Sequence, residues 1–240
     1  MIVSRAEEVD ESIWTKRPLK QYLKIVFYVI LGIPKTILFN FYYLGLEGIK
    51  FPFILSYKVK ITRMQGIVRL DVPKKKFGMI KMGFPLGETY DNNRYSFVWA
   101  NAGTIVFKGK AGIRNGTTIA NYGFMEIGDE FHTSATAKII CYKKIIFGSD
   151  VLIGWNTEII DGDAHKIIDE FGIRSNNDRE IKIGNHVWIG ANSKIMKGAC
   201  IGDNSIIASN TMLLSNMNMD GIVVGGLPNR ILKQNINWRV

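Results

Sequence analysis

The segment Asp161-Gly-Asp-Ala-His165 sets two carboxylates and an imidazole at alternate positions. An imidazole with an ordinary pKa near about 6.5 can take a proton from a hydroxyl at neutral pH and give it back later in a reaction. On an extended strand, alternation puts Asp161, Asp163 and His165 on one face. One carboxylate, Asp163 by preference, then holds the imidazole tautomer and stabilises the imidazolium. This chemistry suits a hydroxyl that is a poor nucleophile unaided, with His165 as general base. The competing reading is a solvated loop histidine. His186, in Gly184-Asn-His-Val, reads as structural or simply exposed, and His132 precedes Thr133 elsewhere in the chain. The three histidines lack the close pair that a zinc site needs, so no metal is expected. Trp155, near the same segment, can wall a substrate site or serve a subunit interface.

A repeat must position these residues. Ile183, Ile189, Ile195, Ile201, Ile207 and Leu213 recur every six positions. The following residue is often small (Gly184, Gly190, Gly202, Ala208), and Val187, Ser193, Ala199, Ser205 and Thr211 follow four positions after the aliphatic ones. Neither a helix nor an alternating strand has this period. A coil of short flat sides and tight corners does, with the aliphatic residue inside and the small residue letting the backbone turn. Phe147, Ile153 and Ile159 extend the phase upstream; Ile113 and Ile119 share another, and Ile127 a third. Residues 166–180 interrupt the repeat with a charged, polar stretch expected to be extruded into solvent.

The expected fold is therefore an all-β core, a parallel β-helix of hexapeptide repeats with an N-terminal helical segment and one extruded loop. The expected divisions are a helical segment at 1–57, with Pro18 and Pro34 as breaks, an irregular β region at 58–103, the β-helix at 104–233, and a tail at 234–240. Ile25 to Ile33 is too short to span a bilayer. With Lys16, Arg17, Lys20, Lys24 and Lys35 nearby, and Phe39, Phe41, Tyr42 and Tyr43 following, the segment either lies in a membrane interface or packs on the protein or another subunit.

The 240 residues are 47% hydrophobic and carry a net charge of +10, which suits an anionic partner or simply solubility. Nucleic acid is not expected, because no recognition motif accompanies the charge. Cys141 and Cys200 alone cannot make a disulfide framework and read as small buried hydrophobes in a reducing cytoplasm. The acids between Met1 and Glu11 argue against a cleavable signal peptide.

These repeats resemble the hexapeptide-repeat acyltransferases, most clearly in Ile183–Ala191, Lys197–Asn204 and the closing Gly225-Gly-Leu-Pro-Asn-Arg230. Asp161-Gly-Asp-Ala-His165 is similar to the Asp-x-Asp-x-His motif of the galactoside and polysaccharide O-acetyltransferase branch. The resemblance implies a left-handed coil assembled as a homotrimer, with the donor groove between adjacent chains. It implies acetyl-CoA as acyl donor, a saccharide hydroxyl as acceptor (lipid-linked in one version), and direct transfer in a ternary complex. Ala191 and Ser209 would then meet the pantetheine arm through their backbone, Leu214 and Ser215 would lie further along it, and Arg230 would meet the adenosine 3′-phosphate. Some relatives stabilise the oxyanion with an Asn on the preceding coil, where Thr133-Ser-Ala-Thr136 has none. An amino-sugar N-acyltransferase, a non-catalytic β-helix scaffold and a zinc enzyme like the β-helical carbonic anhydrases are the alternatives.

Overall fold

A computed structural model describes residues 19–85, 96–214 and 216–239. Short strands wind into a left-handed parallel β-helix with three faces of nine, seven and seven strands. One coil runs from face A (for example Val151–Ile153) through face B (Glu158–Ile160) to face C (Ile181–Ile183), and then back to face A at Val187–Ile189. Up to Val223–Gly225, successive strands of a face pair in parallel one coil apart, as in Ile159↔Ile195 and Ile183↔Ile201. The six-residue column falls into place: Ile183, Ile189, Ile195, Ile201, Ile207 and Leu213 occupy faces C, A and B in turn and are all buried. Burial of these side chains is the main stabilising term, at about 1.5–3 kcal/mol each.

The small residues have a different role from the one expected. A Cβ on Gly148 would lie 2.5 Å from the Gly184 carbonyl, and one on Gly190 would lie 2.6 Å from the Ser209 nitrogen. They are small because the next coil passes directly over them. The turn itself is made two residues later, in the left-handed region. Glu130, Asp150, His186 and Asn204 do so at one edge, and Thr136, Asn156, Asn192 and Asn210 at the next. Asn tolerates that conformation better than most side chains, which explains its recurrence there.

The coil also begins earlier than residue 104. Phe53–Leu55, Val59–Arg63 and Ile67–Leu70 form a first turn on faces A, B and C, and Ile80–Phe84, Phe97–Asn101 and Thr104–Phe107 form a second. The region expected to be irregular is thus already coiled. Its six-residue spacing is lost because corners such as 71–79 carry extra residues, while the parallel pairing continues with register shifts at Ile61/Arg63 and Met82/Phe84.

Helix α1 (Leu19–Leu44) closes the first coil. An open β edge leaves N–H and C=O groups unpaired, and side chains of α1 satisfy them. Thr36 Oγ1 accepts from Leu55 N at 3.0 Å, Asn40 Oδ1 accepts from Phe53 N at 3.1 Å, and Asn40 Nδ2 donates to Phe53 O at 2.8 Å. Lys35 Nζ donates to the carbonyls of Tyr57 and Val59 at 2.8 and 2.7 Å. Gly32 allows the approach, since a Cβ there would sit 2.0 Å from the Leu55 carbonyl. Pro34 lies inside α1 and does not end it, because these bonds just beyond it hold the chain helical. Pro18 and the residues before it lie outside the described residues.

At the far end, Arg230–Lys233 pairs antiparallel with Val223–Gly225. The tail beyond it is docked: Trp238 is buried and stacks on the His186 ring at 4.3 Å. His186 Nδ1 lies 2.5 Å from the Asp150 carboxylate, and Nε2 faces Asn237 Oδ1 at 2.9 Å and the Trp238 carbonyl at 3.0 Å. Acceptors at both nitrogens favour the imidazolium, and the Asp150 hydrogen bond above all raises the His186 pKa against opposing desolvation. A raised folded-state pKa contributes fully below the ordinary value of about 6.5 and is lost as pH climbs through the raised value. Tail docking should therefore loosen on the alkaline side. Tryptic cutting after Lys233 should accelerate several-fold there relative to pH 6, whereas His186→Asn should cut equally fast at both pH values.

Candidate functional site

The strand Glu158–Ile160 ends just before the motif. The backbone then bends, with Ala164 in the left-handed region at φ 62°. Without a strand there is no alternation, and the structure separates the three residues. Asp161 is fully buried. Its Oδ1 accepts from Tyr142 N at 2.6 Å, and its Oδ2 accepts from Lys143 N at 2.9 Å and Lys144 N at 2.6 Å. It continues a buried corner column, Asn101, Asn121 and Cys141, at equivalent positions of earlier coils. Burial, with the Asp161 carboxylate adding to it, pushes the Cys141 thiol up, so that group is inert.

Asp163 turns the other way, toward solvent. Its carboxylate is paired with Lys197 on the next coil and accepts from Asn176 Nδ2 at 2.7 Å. The hydrogen bond from Lys197, then that from Asn176, hold it below the usual carboxylate range. It does not orient the His165 imidazole, as alternation had suggested. His165 is exposed, and its ring makes no hydrogen bond with the described residues. What is fixed is its main chain: His165 N donates to Asp163 O at 2.7 Å, and Asn176 Nδ2 donates to His165 O at 2.8 Å.

Asn176, which carried no signal in the repeat, is the clasp of this site. It also accepts from Ile167 N at 2.8 Å. Arg179 N closes the base of the excursion on Asp161 O at 3.0 Å. Gly162 fits because a Cβ there would lie 2.6 Å from Asp178 and 2.8 Å from Tyr142. Tyr142 in turn stacks on Tyr122, ring centres 5.6 Å apart. The excursion is not uniformly polar, as Ile167, Ile168, Phe171 and Ile173 are exposed on it. Replacing Asn176 by Ala should free the loop, giving severalfold faster tryptic cutting at Lys166 and Arg174 with little change in melting of the coil.

The remaining candidates occupy another edge. Trp155, Ala191 and Ser209 stand at equivalent corners of successive coils between faces A and B. Asn192 N donates to Trp155 O, and Asn210 N to Ala191 O, each at 2.9 Å. Trp155 is 54% exposed. Arg230, exposed, pairs with Gly225 where face A reaches this same edge. His165 and exposed Leu214 instead lie past face B, on the edge between faces B and C. Trp155 is therefore one face away from His165, despite its nearness in sequence. Thr133–Thr136 belongs to the A–B edge as well, below Trp155. Ser215 lies outside the described residues. No cluster of three or more metal-ligating side chains occurs among the described residues.

The pattern described as bacterial transferase hexapeptide (six repeats) matches residues 180–215. The polysialic acid O-acetyltransferase of Neisseria meningitidis is 40% identical over 96 residues, 40% of this chain and 45% of that protein. The galactoside O-acetyltransferase of Escherichia coli (strain K12) is 29% identical over 113 residues, 46% and 54% of the two chains. The chain spans about half the length of the curated relatives it matches. Among solved structures, the polySia specific acetyltransferase NeuO superposes with a TM-score of 0.50 at 22% identity, covering 78% of this chain and 89% of that one. Repeat and fold together define a left-handed parallel β-helix built of hexapeptide repeats.

Proposed function

We propose that the protein is an acyl-CoA-dependent O-acetyltransferase that acetylates a saccharide hydroxyl, with His165 as general base. The observation that carries this reading is the fixing of His165 by its own main chain where the repeat breaks, which leaves the imidazole free to face a substrate. In the reaction, the acceptor oxygen attacks the thioester carbonyl while its proton passes to the imidazole. The tetrahedral intermediate then expels the coenzyme A sulfur, which takes up the proton from the imidazolium, leaving an ester and a free thiol. The acetyltransferase names of the curated relatives, galactoside and polysialic acid acceptors among them, support the substrate class.

The donor would lie along the edge of Trp155, Ala191 and Ser209, with Arg230 at its end for a phosphate. Because His165 stands on a different edge of the same chain, a complete site takes its base from one chain and its donor edge from a neighbour. A trimer supplies that arrangement, and the apolar residues of the 166–180 loop suit contact with the neighbour. The test is thiol release from acetyl-CoA with galactosides, polysialic acid and other glycans as acceptors. Acceptor-dependent release supports the reading. Absence of both release and coenzyme A binding overturns it.

A further inference from the structure

Helix α1 is apolar on both sides. Its inner side, with Tyr28, Thr36, Phe39 and Asn40, is buried on the first coil. At about 3.6 residues per turn, the opposite side carries Leu23, Phe27, Ile30, Leu38 and Phe41, each at least 40% exposed. A surface helix in water normally turns polar residues outward, and an apolar stripe of this length marks an interaction surface. Charge is the second observation. Residues 19–85 contain twelve Lys and Arg against only Glu47 and Asp71, so this end of the protein accounts for the whole net charge of +10. Both acids are themselves paired, with Lys75 and Lys108.

We propose that the α1 end docks on an anionic lipid bilayer, with the helix lying in the plane of the interface and the coil standing off the surface. An apolar face among cations matches that medium, because the acyl boundary takes the side chains and the lipid phosphates meet the lysines. The helix is longer than the apolar run in the sequence suggested and is long and apolar enough to cross a bilayer, but an upright α1 would strip Phe53, Leu55, Tyr57 and Val59 of the partners that Lys35, Thr36 and Asn40 provide, which favours the interfacial pose. A second copy of the chain fits less well, since it would bring two strongly cationic ends together. The proposal stands apart from the acyltransferase reading and is tested without it.

The full chain is sedimented with vesicles of phosphatidylcholine alone and of phosphatidylcholine with phosphatidylglycerol. Partition should be at least about tenfold stronger on the anionic vesicles at low salt and should weaken as salt rises. The triple variant Leu23→Gln, Ile30→Gln, Leu38→Gln alters only exposed positions and should lose roughly 100-fold in partition with its melting unchanged. As a second probe outside the helix, Lys74→Gln with Lys76→Gln should weaken binding at low salt. Three results would overturn the proposal: no partition by the wild-type chain, equal partition by the triple variant, or a wild-type assembly that ignores vesicles and falls apart in the triple variant.

Discussion

His165→Ala is expected to lower acceptor-dependent release of coenzyme A by about 100- to 10,000-fold, with melting temperature and coenzyme A binding unchanged. The expectation of unchanged stability follows from the contacts. The imidazole is exposed and makes no hydrogen bond with the described residues, so its removal leaves nothing unpaired. The clasp by Asn176 acts on the His165 carbonyl, which alanine retains. A chain that turns over as fast without the imidazole would take His165 out of the chemistry while leaving the fold as described. The same variant tests where the site lies. Mixed with Ser209→Trp, which would block the proposed donor edge at an exposed corner, it should regain roughly one quarter of wild-type activity in randomly mixed oligomers. A site confined to one chain would stay inactive in every mixture.

The sequence made the coil legible where the coil is most regular. From Ile183 to Leu213 every side is six residues long, so interior residues recur at a fixed interval. Phe53, Phe97 and Trp99 fill the same interior in the first two coils, but longer corners break the interval and hide it. The capping role of Lys35, Thr36 and Asn40 was hidden for a related reason. Their partners are edge groups of strands that had not been recognised as the start of the coil. In the site, motif spacing singled out His165, yet the strand argument failed because Ala164 turns left-handed. Asn176 and Lys197 act across 11 and 34 residues, distances at which no local pattern can register them.

Asp161→Ala should be the most destabilising single change at this corner, costing on the order of 3–5 kcal/mol. Its carboxylate accepts from three consecutive main-chain N–H groups, all within 2.9 Å, and is wholly out of solvent. Removing it orphans three partly buried main-chain donors at about 1–3 kcal/mol each, offset in part by water that reaches them. Melting should fall on the order of 10 °C. Asp161→Asn should recover little of this. Whichever way the amide is turned, its NH2 group opposes at least one of the same donors. If Asp161→Ala instead melted like the wild type and lost only turnover, the carboxylate would belong to the chemistry and this account of the corner would fail. If the melting falls as expected, the alternate-residue motif divides by physical task. Asp161 closes the coil, Asp163 ties the departing loop to Lys197 and Asn176, and His165 is left as the one member free to touch a substrate.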